Sequence, residues 1–546
     1  MIEPKREGSR PVSNSDVWKL LMDFYARKGP EAWRSGKIPQ RITSNGYTAD
    51  VYASIVTAFL RDWAHDGGGE VPLILEVGGG SGLFAWLFMN RLLNHHLSTE
   101  EALPFEYLLT DAAESNVRAW MDVPRLRKLV DRGPMDMAVL KAAREIRVEE
   151  PRTRQLSRAD LLARPVILIA NYVFDSLPAE LIRVRDGRVF WESLSIDSPH
   201  EQGTRPEDFS QLEPRFESHE LASPYTEHAG VNDIIERYRA LDREGCIPLP
   251  LQAISFLENF LESDFPFLLL AGDMAYTTTD FEAEPPIIFS DYIACTVNFH
   301  MLGELFGGWG GGSVFADRAD SRFSVGAFLK PGSVTIPRTE EAARNVLRHF
   351  TPLDAQRIEA ALEGSGGTFD FRTVYAWLRL ARFDALSTDR CIPHLIHLVE
   401  EGETIDWLLL HDALLESFRS ALPGVSEEDP GLDVRIAYLF VKAKRYREAW
   451  DFLTESMAEL GRSEERLYLL GLAAARLGRG EEAARLLHET LEIEPGYWEA
   501  LAGTEREPAE TVSWLLAQKE DDAHLNHIVL RMAVAAFARL DAEEAS

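Results

Sequence analysis

The residues most able to do chemistry stand at the ends of three apolar runs. The first run, Leu73–Val77, carries one acid, Glu76, and then turns through Gly78, Gly79, Gly80 and Gly82 into the apolar stretch Leu83–Met89. Glycines there let the backbone take φ > 0 and let a ligand lie against main-chain N–H groups at a helix start, although ordinary tight turns share the pattern. The second run, Glu106–Thr110, ends in Asp111. Its carboxylate can accept two hydrogen bonds from the vicinal diol of a ribose, or cap the helix that follows. The third run, Pro165–Ala170, stops at Asn171-Tyr172-Val173-Phe174-Asp175-Ser176-Leu177-Pro178. In an open α/β sheet the ligand crevice lies outside the carboxyl ends of the strands, so Asn171 and Asp175 are placed to face it; a turn acid before Pro178 is the structural alternative.

These positions require strand, tight turn and helix around each of them. A helix over Thr43–Trp63 leads into the first strand, and a further strand is expected at Phe267–Ala271. A hairpin of Ser313–Asp317 and Phe323–Leu329, joined by RADS, closes the sheet. Residues 122–160 show no period that places another strand. Between Leu181 and Phe267 the pattern breaks into polar, Pro/Gly-punctuated chain with helical periods at Val231–Leu241 and Leu251–Phe260, an insertion expected to cap the site over about 190–265 and to select the substrate. The Gly307–Gly312 run around Trp309 is a flexible turn or a lid. Beyond Pro331 only helical signals remain. A 34-residue period relates Ile436-Ala437, Phe440, Tyr446, Ala449 and Leu453 to Leu470-Gly471, Ala474, Ala483 and Leu487, with Gly478 and Pro495 at the turn and end positions of a tetratricopeptide unit. The expected division is an N-terminal helical extension (1–40), an α/β domain (41–330) and an α-helical domain (331–546) with repeats at about 433–500.

The stretch LEVGGGSG resembles the E/D-x-G-x-G-x-G element with which class I S-adenosylmethionine (SAM) methyltransferases hold the methionine half of their cofactor. ANYVFDSLPAELIRV is similar to the N-E-F-F-D-A-L-P-V element of the MidA-like methyltransferases, the family that includes the mitochondrial complex I assembly methyltransferase. RITSNGYTADVYASIV, FPFLLLAGDMAY and DYIACTVNFHML resemble further segments of that family in the same order, so the likeness covers roughly residues 40–330. It implies a Rossmann-like, seven-stranded sheet with SAM held by Glu76, Gly78, Gly80, Gly82, Asp111 and Asn171. It also implies an arginine acceptor on a partner protein, with Asp175 drawing charge from the guanidinium and Asn171 orienting it. The chain departs from the family at Tyr172, where the family has Glu, and at Asn298, where it has a second acid.

Composition bounds the rest. With 546 residues several domains are expected, and acids outnumber bases 88 to 57, which argues against a nucleic-acid clamp. Cys246, Cys295 and Cys391 lack paired spacing, and no stretch approaches the ~18 apolar residues of a membrane span, so a cytoplasmic protein without a membrane anchor is expected. No metal site is expected; Cys391, His394 and His397 fit one amphipathic helix. The repeats suggest a docked protein acceptor or partner. The competing readings are a small-molecule methyltransferase that uses them for dimerisation or a carrier protein, and a non-enzymatic scaffold.

Overall fold

The computed structural model describes residues 10–34, 38, 40–65, 68–97, 103–141, 147–149, 158–197, 209–241, 243–316, 322–349, 351–364, 369–423 and 431–493. Its contacts divide the chain into a first unit, residues 1–358 with 424–427, and a second, 359–423 with 428–546. Pro337–Leu347, read from the sequence as the start of the helical domain, therefore belongs to the first unit. The reason is local: the buried carboxylate of Asp62 accepts bonds from the Arg338 and Thr339 N–H groups and from the Thr339 hydroxyl, fixing this helix to the helix that carries Asp62.

The first unit is built on a mixed sheet. Its strands are β1 (Leu73–Val77), β2 (Glu106–Asp111), β3 (Met135–Lys141), β4 (Arg147–Glu149) and β5 (Val166–Asn171), followed after an insertion by four more. The insertion holds β6 (Glu180–Arg185), β7 (Arg188–Asp197), β8 (Glu213–Leu221) and β9 (Gly245–Leu249). Beyond it come β10 (Phe267–Tyr276), the short antiparallel pair β11 (Ile287–Phe289) and β12 (Ile293–Cys295), then β13 (Val297–Asn298), β14 (Gly312–Phe315) and β15 (Phe323–Lys330). The large sheet runs β14-β15-β10-β5-β1-β2-β3-β4, with β13 paired to β10. Nine strands thus stand where seven were expected; the additions are the edge strand β4 and the two-residue β13, both too short for a periodic signal. β3 lies in the stretch where no strand was legible.

β1, β2, β3, β5 and β10 are parallel, and β15 runs antiparallel to β10 and β14. VILIA of β5 and FLLLA of β10 are buried throughout, the composition a strand covered on both faces requires. Strand order reverses at β1, so the topological switch point lies outside the carboxyl ends of β1 and β5. Register then brings Val77 beside Thr110 and Ala170, and Asn171 beside Gly272, so the residues singled out from the sequence share one edge.

The insertion is more than a polar cap with helices. β6–β9 form a separate antiparallel sheet in the order β8-β7-β6-β9, accompanied by the helix Ala229–Arg239 and followed by Leu251–Leu261. One cluster of its apolar residues packs with the large sheet; another, including Leu181, Leu194 and Cys246, packs with the N-terminal helix α1 (Val17–Lys28) through Trp18, Leu21 and Phe24. β8, EPRFESHEL, is an edge strand whose alternating charges face solvent, which is why it reads as a polar loop. A short helix α2 (Glu31–Arg34), the long α3 (Gly46–His65), α4 (Leu83–Leu97) and α5 (Glu114–Asp122) complete the surroundings of the switch point.

In the second unit, helices Leu432–Lys442, Tyr446–Leu460, Glu464–Arg476 and Gly480–Ile493 each pack on the next. The 34-residue period is visible in the backbone. Lys444 and Gly478 both take φ > 0, at 60° and 77°. The following residues make equivalent bonds, Arg445 N–H to the Phe440 carbonyl and Arg479 N–H to that of Ala474. Gly471 meets Leu487 so closely that a Cβ there would lie 2.9 Å from its side chain. Pro495 and the residues after 493 lie outside the described chain. Among the described residues no helix is long and apolar enough to cross a membrane.

Candidate functional site

The turn after β1 needs its glycines. Gly78, Gly80 and Gly82 have φ of 69°, 54° and 80°, which a side chain rarely tolerates. Their surroundings are also tight, since a Cβ on Gly78 would meet Val173 at 2.8 Å and one on Gly80 the Trp33 indole at 2.9 Å. The turn is braced from within: Gly79 N–H donates to the Thr110 carbonyl, Gly82 N–H to that of Gly79, and Trp120 Nε1–H to that of Gly80. Three N–H groups expected to face a ligand are therefore engaged by the chain itself, because Gly80 N–H donates to Asp111 Oδ2 at 2.9 Å.

Asp111 lies at the end of β2, as expected, and is 7% exposed. Its other oxygen accepts the Ala113 N–H at 2.8 Å, so the carboxylate ties the glycine turn to the start of α5. Burial raises its pKa and the N–H bonds of Ala113 and Gly80 lower it, with burial dominant. Next to it fully buried Asn116 turns its amide toward the Asp111 carboxylate, and among the described residues the Ser115 hydroxyl has no hydrogen-bond partner. Buried polar atoms are ordinarily satisfied, so the Ser115 hydroxyl and the Asn116 amide beside a carboxylate able to accept a diol fit the sugar and base of an adenosyl group.

Glu76 is turned onto Tyr107 of β2, whose hydroxyl donates to it, and Tyr107 packs against Phe88 of α4. Burial lifts Glu76 to about 8, so it carries a proton at neutral pH and supports the turn as a neutral acid.

The end of β5 gathers the rest. Asn171 Oδ1 accepts the Tyr52 hydroxyl of α3 at 2.8 Å. Tyr172 is held at φ 53°, strained for an aromatic residue, by its N–H bond to the Gly272 carbonyl and by ring contact with Phe323. This strained turn leads into Asp175, which is 2% exposed and faces Asp273 of β10, which is fully buried. Asp273 also accepts weakly from the N–H groups of Phe174 and Asp175. Among the described residues neither carboxyl has an Arg or Lys ion-pair partner. Burial raises both, and for Asp273 the charge of Asp175 adds to it, so the two resist ionising together. Asp273 received no site role from the sequence; an acid interrupting the apolar strand FLLLAGDMA was the available signal.

Asn298 is spent on structure. Its Oδ1 caps the helix Phe299–Gly308 at the Met301 N–H, and its amide donates to the Pro248 carbonyl. Trp309 closes the same helix with its ring on Phe306, the turn alternative of the two. In the second unit His394 bonds the Phe369 carbonyl.

No family model matches the sequence, and no curated protein matches it. Solved structures do. An uncharacterized COG1565 superfamily protein from Burkholderia thailandensis is 13% identical, aligned over 60% of this chain and 97% of that one with a TM-score of 0.33. A second COG1565 superfamily member from the same organism, solved with S-adenosyl-homocysteine bound, is 15% identical over 56% of this chain and 82% of that one, with a TM-score of 0.30.

Proposed function

We propose that the first unit is a SAM-dependent methyltransferase and that the proton of its acceptor nitrogen leaves to the Asp175–Asp273 pair. The observation that carries this reading is the shared sheet edge, where the glycine turn, Asp111 with its neighbours Ser115 and Asn116, and a buried acid pair without a cation among the described residues meet at the switch point. When bound, the sulfonium supplies an already activated methyl, so the protein has to align a nucleophile and manage one proton. Asp111, Ser115 and Asn116 hold the nucleoside, and the turn of Gly78–Gly82 sets its depth. The ionised member of the acid pair accepts the acceptor's proton, while the protonated member keeps the pair from carrying two charges in a dry site. Tyr52 holds Asn171 so that its amide is free to donate to the acceptor.

A pair with one negative charge and no cation of its own suits a basic nitrogen. A protein arginine, the acceptor implied by the MidA-like resemblance, is our first candidate, with the helical repeats of the second unit docking the protein that bears it. The test is transfer of labelled methyl from SAM into an extract lacking this protein, separated into protein and small-molecule fractions. Label in a protein band, lost with Asp111→Ala, is expected. Label confined to small molecules would reject the protein acceptor, and SAM binding without transfer to either fraction would reject the enzyme.

A further inference from the structure

The N-terminal extension reaches the same crevice. Gly29, at the α1–α2 turn, lies against the Ser115 hydroxyl, with a Cβ there 3.1 Å from it and 3.9 Å from Asn116 Oδ1. Four residues on, the Trp33 indole sits over Gly80, and its ring stacks on Tyr25 with centroids 5.5 Å apart and planes 20° from parallel. Tyr25 faces the hydroxyl of Ser176, which itself donates to Asp175, and feels the charges of both Asp175 and Asp111. The segment is anchored on either side. Trp18, Leu21 and Phe24 are buried with the insertion sheet, and Gln40 bridges the Trp33 carbonyl at 3.3 Å to the Ser81 hydroxyl of the glycine turn at 2.7 Å.

An aromatic pair therefore spans the distance from the diol-competent acid to the acid pair. Trp33 and Tyr25 each keep some exposure as residues and pack at the edge of the apolar cluster that joins α1 to the insertion sheet. Beyond the apolar cluster they pack on, Trp33 faces the backbone of Gly80, and Tyr25 faces the Ser176 hydroxyl beside buried Asp175. Packing on that cluster does not call for aromatic rings beside a glycine turn and a buried acid. A ligand that is flat and apolar on one face, polar at its edges and cationic at one end does, because an aromatic face binds both a purine and a cation.

We infer that the N-terminal extension is part of the cofactor site, with Trp33 in direct contact with the bound S-adenosyl group and Tyr25 backing it. This rests on the cofactor reading above. The α/β domain alone then holds only the lower half of the site, and an extension that carries no motif of its own sets cofactor affinity.

The test is calorimetric titration of the full chain with S-adenosylhomocysteine for wild type, Trp33→Ala, Trp33→Phe and Gln40→Ala, with thermal unfolding followed in parallel. Trp33→Ala should weaken binding about tenfold or more, and Trp33→Phe, which keeps a ring, should stay within about threefold of wild type. Gln40→Ala releases the bridge from a part-exposed side chain and should weaken binding by about threefold, which covers the case of a Trp33 variant that fails to fold. Unchanged or tighter binding by folded Trp33→Ala overturns the inference, as does a Phe variant as weak as the Ala one. Wild-type protein that does not bind overturns the cofactor reading and this inference with it, whereas binding that ignores Trp33 overturns the inference alone.

Discussion

Asp175 and Asp273 in the first unit and Asp433 in the second are buried to the same degree, between 0 and 2% exposed, yet they keep different company. Asp433 is met by Arg466, at 2.7 Å to one oxygen and 3.3 Å to the other, and by the Ser456 hydroxyl. Asp175 and Asp273 are met chiefly by each other. A carboxylate with a guanidinium across it is a clasp between helices, and its loss leaves a stranded charge. Two facing carboxyls with no cation between them are costly to keep in a dry site, the arrangement expected where a proton must be moved. The two units thus use one residue type for opposite ends, and perturbing each separates them.

The largest effect should come from Asp175→Asn. It removes the proton acceptor and relieves the repulsion, so transfer of labelled methyl should fall roughly 10²–10⁴-fold while S-adenosylhomocysteine affinity and thermal stability hold. A stability loss with transfer intact would put Asp175 in the same class as Asp433. Next in size is Asp433→Asn, which leaves Arg466, 15% exposed, without its charge partner. The helical unit should lose about 3 kcal/mol, read as an earlier transition in denaturant by circular dichroism. Cofactor binding by the first unit, measured by calorimetry below that transition, should not change.

A third contrast is in pH. Glu76 ionises near 4.5 when exposed and at about 8 when folded. Between those values the folded chain holds a proton that the unfolded chain has released. Its contribution is therefore complete below about pH 4.5, declines as pH rises, and is gone above about 8. Asp175 and Asp273, raised for the same cause, act in the same direction. Glu76→Gln keeps an acceptor for Tyr107 and should flatten this decline by roughly 1–3 kcal/mol between pH 6 and 8. Thermal midpoints of the first transition at several pH values measure it, and an unaltered slope would mean that Glu76 is already ionised at neutrality.

The same contrast governs what could be read from sequence. Asp111 and Asn171 were legible because each ends an apolar run, and an open parallel sheet sends such residues to one edge. The helices of the second unit were legible because small and apolar residues recur at a fixed spacing, so Gly471, Ala474 and Ala483 announce themselves together. β6–β9 were not, since an edge strand such as β8 alternates charge with half-buried residues and its partners are set by non-local register. Trp33 and Tyr25 were hidden for a related reason: they come to the crevice across the fold, Tyr25 from the end of a helix and Trp33 from a Gly/Pro-rich connector, neither with a motif of its own. Asp273 stood two residues past the strand that was recognised, and its chemistry depends on Asp175, 98 residues earlier, which only the register of β5 with β10 brings to it.

The smallest predicted effect bears on the second unit's regularity. Lys444 and Gly478 occupy the same turn one period apart, with φ of 60° and 77°. Around Gly478 a Cβ would meet nothing within 4 Å, so only backbone conformation opposes a side chain there. Gly478→Ala should then cost about 1 kcal/mol, and Lys444→Gly should recover a similar amount, since the strain that Lys bears is the strain Ala would acquire. Lys444 also interacts with a neighbouring group, which glycine would forfeit, so its gain should be the smaller of the two. Denaturant titration of the helical transition reads both. Opposite signs at the two positions would establish that the 34-residue period is one of backbone geometry, whereas losses at both would mean that the Lys444 side chain, unlike any at Gly478, has become part of the turn's packing.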